Sequence, residues 1–371
     1  MGMTARQTLL AACRGEQLDR LPFGPRIDLW YNYHKSHGTL PPEYQGWTMM
    51  DICRDVGVAA QYRYSSLVLE EVVDVEIVET ERMPYKTTVY RTPHGTVSKS
   101  LMFNPHEGAM VAYESEHLFK NAADYAAINY ILEHTTPVLD PGYIEACKEV
   151  GDDGLVMSGI RVSPAQRVMR EIMGYETFFY ELMDHPGKVE ELIGAAAALD
   201  RKKLELVLAT DIELVQLCGN WTDDIHTPVF RRFFVPWFQE VNELLHAHGK
   251  LSMAHTDGEN RRLLPLLRDT DIDVFEAFAP APMTKVTNAE FRRAVGDDRT
   301  VWGGIPSTLF SESTSDEEFD NYIINNLFRE IAPGYRFIVG MGDNLPFDAK
   351  LERVVRVSEM IDKQGGLPLS L

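Results

Sequence analysis

From residue 150 onward, short apolar runs alternate with longer stretches in which apolar residues recur at helical spacing, the pattern of βαβ units on a parallel sheet. Six runs read as strands: Leu155–Ile160, Ile212–Cys218, Lys250–His255, Asp273–Ala277, Thr300–Ile305 and Arg336–Met341. Each is followed within a few residues by a helix signal. Leu21–Asp28 and Val58–Tyr62 bring the count to eight, the number that closes a (β/α)8 barrel, so an α/β TIM barrel is the fold class expected.

Before residue 150 the periodicity changes. Val75–Glu81 and Tyr85–Phe103 alternate with period two around Thr92-Pro93-His94-Gly95, which predicts a hairpin with a tight turn. Residues of about 65–110 read as an antiparallel excursion, followed by helices over Ala122–His134 and Pro141–Val150. The chain is therefore expected to be one domain, 1–371, carrying an inserted β-rich and helical segment at about 65–150. A separate β-rich N-terminal domain would leave a similar pattern.

Composition narrows the functional classes. With 44% apolar and 25% charged residues the chain can build a proper core. Its 56 acidic against 36 basic residues give a net charge of −20, and no compact Lys/Arg run offsets it. Such a surface repels phosphate backbones and anionic headgroups, so neither nucleic acid nor membrane is an expected partner. Cys13, Cys53, Cys147 and Cys218 form no CxxC pair, which argues against a disulfide scaffold or a thiolate zinc site and fits a reducing cytoplasm. The first residues read as an amphipathic helix without the apolar core of an export signal. No segment reaches the roughly 18–20 apolar residues of a membrane span.

In a barrel of this kind catalytic groups sit at the C-terminal strand ends, where the βα loops converge. Those ends carry Asn220-Trp221-Thr222-Asp223-Asp224, His255-Thr256-Asp257-Gly258, Glu276, Gly303-Gly304 and Gly342-Asp343-Asn344. The first strand delivers Arg26, Asp28, Trp30 and Tyr31. Arg26 and Asp28 suit either an ion pair or a substrate contact, and Trp221 either the core or a stacking platform. Asp223, Asp224 and Asp343 could cap the helices that follow them. His255 stands apart: it ends an apolar strand, is followed by a carboxylate and a glycine, and falls opposite Glu276. His255, Asp257 and Glu276 could bind a divalent metal such as zinc, or form a metal-free acid–base set in which clustered carboxylates raise one pKa.

An ordered series of short motifs resembles the uroporphyrinogen decarboxylase and cobamide-dependent methyltransferase superfamily. It runs from Val215-Gln216-Leu217-Cys218-Gly219-Asn220-Trp221 and His226-Thr227-Pro228, through His246-Ala247-His248-Gly249 and His255-Thr256-Asp257-Gly258, to Trp302-Gly303-Gly304-Ile305 and Val339-Gly340-Met341-Gly342-Asp343. The porphyrinogen decarboxylases carry an N-terminal arginine-rich signature; the stretch here, Arg26 to His34, lacks a second arginine, which disfavours a polycarboxylate substrate. The coenzyme M methyltransferases carry a His-x-Cys motif and a later cysteine that hold zinc, and the matching positions here look like Asp257 and Met341. Without thiolates a zinc ion is a better Lewis acid, suited to an ether oxygen.

The pattern most resembles the methyltransferase component of corrinoid-dependent aryl O-demethylases. That resemblance implies methyl transfer from a methoxyarene to the cob(I)alamin of a separate corrinoid protein, with His255, Asp257, Glu276 and Asp343 at the reacting centre. Trp30, Tyr31 and Trp221 would then stack the ring, and Arg26, Asp28, Arg161, Asn220 and His226 would contact the substrate. Other donors, such as a methylamine, methyl halide or thioether, and a decarboxylation are the alternatives. Expected partners are the corrinoid protein and a small methyl donor, with a homodimer allowed. The Glu-x14-Glu-x20-His zinc pattern associated with the demethylases occurs at Glu190, Glu205 and His226. Gly187–Thr210 reads as one helix, however, which would hold Glu190 and Glu205 roughly 22 Å apart.

Overall fold

A computed structural model describes residues 2–104, 111–160 and 162–369. The chain divides into two compact units, one of residues 1–65, 141–158 and 212–371, the other of residues 66–140 and 159–211.

Seven parallel strands form the main sheet, in the order Ala60–Arg63, Gly154–Gly159, Leu214–Gly219, Leu251–His255, Val274–Phe278, Thr300–Ile305, Phe337–Met341. The order is sequential, as successive βα units require. The eighth segment expected, Leu21–Asp28, contributes a single parallel bridge, Phe23 to Val339, rather than a full strand. Gly24 N donates to Val339 O and Val339 N to Pro22 O, after which the ladder stops. Pro22 and Pro25 have no N–H to give, and Asp28 already opens the helix Asp28–His37. Among the described residues no ladder joins this segment to Ala60–Arg63, so the barrel is open by hydrogen bonding at that seam.

Period-two alternation fills the sheet interior in layers. Leu155, Met157, Leu214, Met253, Val274, Trp302 and Ile338 form an apolar cluster with Leu9–Cys13 of the first helix. That helix, Ala5–Arg14, starts with a reciprocal cap between Thr4 and Gln7 and ends at Gly15 with φ 71°. Leu9, Leu10 and Trp302 are essentially buried, worth on the order of 1.5–3 kcal/mol each. Two residues further along the same strands the layer turns polar, with Gln61, His255 and Glu276 all under one tenth exposed. Apolar side chains thus floor a polar layer at the C-terminal ends.

In the second unit the expected hairpin is present: Tyr85–Thr92 pairs with Gly95–Asn104, and Thr92 faces Gly95 across Pro93-His94. Glu76–Arg82 and Val111–Glu116 complete a four-stranded antiparallel sheet. Val68–Val72 also pairs with Thr135–Leu139, a strand in the stretch left between two predicted helices. Helix Pro186–Leu208 runs unbroken through Gly194. Glu190 and Glu205 therefore lie roughly 22 Å apart along one axis and cannot share an ion, so the Glu-x14-Glu-x20-His spacing is not a metal site here. Among the described residues no helix is long and apolar enough to cross a membrane.

Candidate active site

His255 closes the strand Leu251–His255 in register with Glu276. Both neighbouring ladders slip at this level: the register shifts between Met253 and His255 on one side and between Glu276 and Phe278 on the other. At the second bulge Ala277 has φ 59°, which costs a non-glycine residue on the order of 1–2 kcal/mol. A glycine faces each bulge. A Cβ on Gly219 would lie 2.1 Å from the His255 carbonyl oxygen, and one on Gly303 2.6 Å from that of Phe278. The chain beyond His255 is fixed by Thr256, whose N and Oγ1 both donate to the Glu276 carbonyl, at 2.7 and 2.9 Å.

The imidazole is held on both edges. Nδ1 lies 2.8 Å from Glu276 Oε2. Nε2 lies 3.3 Å from Asp343 Oδ1 and 3.6 Å from Asp257 Oδ1. Burial alone would lower the His255 pKa, but the Glu276 charge and the bonds to Asp257 and Asp343 outweigh it and hold the value well above normal. Burial would likewise raise Glu276, yet Arg63 and His255 keep it below the ordinary carboxylate range. Asp343 is also lowered: burial opposes this, but the His255 bond and the Arg26 charge prevail.

Two residues at the end of Ala60–Arg63 complete the cluster. Gln61 Nε2 donates to Glu276 Oε1 at 2.5 Å, and Arg63 Nη2 donates to Glu276 Oε2 at 2.6 Å and lies 3.0 Å from His255 Nδ1. Sequence reading missed both, because it ended that strand at Tyr62; period-two alternation carried one residue further puts Gln61 and Arg63 on one face.

Asp343 does not cap a helix. It sits at φ 75° in a loop tied to the first segment, with Leu345 N donating to Arg26 O and Asn344 Nδ2 to Asp28 Oδ1. Arg26 grips Asp28 through Nε and Nη2, at 2.8 and 3.2 Å, and reaches Asp343 Oδ1 through Nη1 at 2.5 Å. Arg26 and Asp28 therefore form an ion pair that anchors the loop.

His255, Asp257 and Asp343 each offer a ligand atom within 4.8 Å of the others. Asp343 takes the place expected for Glu276, whose two oxygens accept from Gln61, Arg63 and the opposite edge of the imidazole. Met341, which the resemblance matched to the later cysteine of the coenzyme M enzymes, is buried in its strand.

The other expected contacts are held by neighbours of their own. Trp221 is fully buried and packs edge-on against Phe230 and Phe238, so it belongs to the core and offers no stacking face. His226 is fully buried in the helix Asp223–Val229, its Nδ1 accepting from Thr222 N at 3.0 Å, rather than standing in a mouth loop. Trp30 is buried beside His34, and Tyr31 donates its hydroxyl to Trp47 O. Asn220 is an exposed turn residue at φ 58° whose N donates to His255 O. Arg161 lies outside the described residues.

A parallel α/β sheet with a buried histidine and carboxylates at its C-terminal strand ends defines the class. Residues 105–364 match the uroporphyrinogen decarboxylase (URO-D) family, and the chain belongs to it. No curated protein matches the chain in sequence. Among solved structures it is similar to a methyltransferase from Methanosarcina mazei, with 13% identity, a TM-score of 0.61, and coverage of 98% of this chain and 99% of that one. At that identity the likeness is one of fold.

Proposed function

We propose that the protein is a methyltransferase that moves a methyl group from an O-methylated aromatic to the cob(I)alamin of a separate corrinoid protein. The observation that carries this reading is the clamped histidine of a URO-D family chain: Glu276 on Nδ1, two carboxylates facing Nε2, and no thiolate among them. With the Nδ1 proton shared with Glu276, a neutral ring would aim its Nε2 lone pair at two anions. The arrangement calls for a cation there, either a proton or a metal ion.

The donor set fits a divalent metal. Imidazole nitrogen and carboxylate oxygens are ordinary zinc ligands, and a carboxylate behind the imidazole is the usual support for such a ligand. His255, Asp257 and Asp343 would hold the ion, and its contribution when bound is Lewis acidity toward the ether oxygen. Glu276 fixes the imidazole tautomer and its aim, while Gln61 and Arg63 fix Glu276. Arg26 and Asn344 hold the Asp343 loop against the first segment. The cobalt of the partner is the nucleophile, so this chain needs only to orient the donor and favour departure of the oxygen. The fold shared with a methyltransferase supports the reading. Decarboxylation of a porphyrinogen is disfavoured, because Arg26 is committed to Asp28 and Asp343 and a polycarboxylate needs several free cations.

The test is an assay with purified protein, reduced corrinoid protein and a panel of methoxylated aromatics, following loss of the cob(I)alamin absorbance. Decay with an aryl ether is expected, slowed by at least about 1000-fold in His255→Ala. Decay only with a methylamine, methyl halide or thioether would transfer the reading to that donor class, and silence across the panel would overturn methyl transfer.

A further inference from the structure

We infer that the corrinoid protein of the methyl transfer proposed above docks by a basic segment into a cleft beside the mouth; the inference rests on that reading. The cleft, of about 890 Å³, is lined by two helices, Asp28–His37 and Glu352–Gln364, and by residues 39–42 and 347–351. Its apolar lining is graded. Trp30, Leu40 and Leu351 are buried, whereas Phe347 is 53% exposed and stacks on Tyr33 with ring centroids 4.9 Å apart.

The cleft shares a loop with the candidate active site. Asp343 and Phe347 both follow the strand Phe337–Met341, which puts them on the C-terminal side of the sheet. Glu312, after the strand Thr300–Ile305, is tied to that loop: its N donates to Asp348 O at 3.1 Å, and Lys350 N donates to Phe310 O at 3.0 Å. Leu29 N, in the first of the two helices, donates to Asn344 Oδ1 at 3.3 Å. A partner whose cobalt must reach a donor beside His255 approaches from this side.

Charge specifies the occupant. The cations that line the cleft are spent within the fold: Arg353 donates to the carbonyls of Leu309, Ser311 and Thr314 and to Asp316, Arg356 holds both oxygens of Asp320, and Lys350 Nζ lies 3.8 Å from Asp316. The carboxylates are not. Among the described residues Glu312, Asp348 and Glu352 pair with no cation, and all three are exposed. An apolar floor inside an acidic rim is complementary to a segment that carries Lys or Arg beside apolar side chains, and a groove between helices accepts such a segment as an amphipathic helix.

Binding of the corrinoid protein to the full chain is measured by calorimetry, with urea unfolding of each variant as the check that it is folded. Glu312→Lys/Glu352→Lys is expected to weaken binding at least about tenfold. Phe347→Ala, which removes the exposed ring and no charge, should weaken it about tenfold as well. Glu145→Lys/Asp297→Lys makes the same change in net charge at exposed positions outside the cleft, and should weaken binding by less than about twofold. No binding by wild type, undiminished binding in either cleft variant, or equal weakening by the outlying pair would overturn the inference. Methyl transfer from an aryl ether to free cob(I)alamin needs no docking, so that assay judges the methyltransferase reading independently.

Discussion

Each compact unit contains a cluster of buried charge, and the two are balanced differently. In the second unit Arg167 donates to both oxygens of Glu70, at 3.0 and 2.6 Å, and Lys203 Nζ lies 2.6 Å from Glu70 and 3.1 Å from Asp200. Two cations meet two carboxylates. Around His255, the four carboxylates of Asp28, Asp257, Glu276 and Asp343 share the two guanidiniums of Arg26 and Arg63. The first cluster is balanced in charge and holds helix to strand. The second retains a demand for positive charge at His255 Nε2, which only a proton or a ligand can meet. Buried charge thus speaks for function where it is unbalanced, and for architecture where it is not.

Breaking the balanced cluster should have the largest effect on stability. Glu70→Gln leaves Arg167 without its carboxylate and Lys203 with Asp200 alone, and is expected to cost about 3 kcal/mol, read from urea unfolding. The Glu70 pKa is pushed down to about 2: burial would raise it, but Arg167 and Lys203 outweigh that. Because the folded value lies below the unfolded one, its contribution is present above the ordinary carboxylate pKa and is lost as pH falls towards about 2. Asp200, raised by burial, pulls the other way, so the difference between wild type and Glu70→Gln is the clean readout. That difference should shrink to nothing in strong acid. If Glu70→Gln unfolds with the same free energy as wild type, the two clusters are not different in kind.

A smaller effect should come from loosening the unbalanced cluster. Gln61→Ala removes the 2.5 Å bond that steadies Glu276 and is expected to lower metal affinity about tenfold by calorimetric titration, with stability little changed. An unaltered affinity would mean that Glu276 needs no such support.

The parallel strands from residue 154 onward were legible because each is a continuous apolar run flanked by helical periodicity, and the pairing of His255 with Glu276 follows from adjacent strand ends. The Pro93-His94 turn was equally plain from its flanking alternation. What escaped had local causes. Arg63 and Gln61 depend on a four-residue strand whose end could not be placed to within one position. Asp343 was legible as a residue of the reacting centre but not as a partner of His255 Nε2, since an aspartate after a strand suits a helix cap as well and the loop that carries it, at φ 75°, has no sequence signal. Trp221 and His226 read as mouth residues from their place after a strand, but Phe230, Phe234 and Phe238 from the next helical turns enclose them. Leu21–Asp28 has a strand's apolar pattern, yet its prolines deny it the ladder. Sequence spacing locates strand ends; it does not say which loop folds back over them.

The most direct test is a zinc titration of the metal-stripped protein, followed by calorimetry and elemental analysis. The charge imbalance predicts one equivalent bound by wild type, with binding lost in His255→Ala and in Asp343→Asn while both variants stay folded. Absence of stoichiometric binding, or undiminished binding in Asp343→Asn, would contradict the claim that the surplus carboxylates around His255 are a metal site.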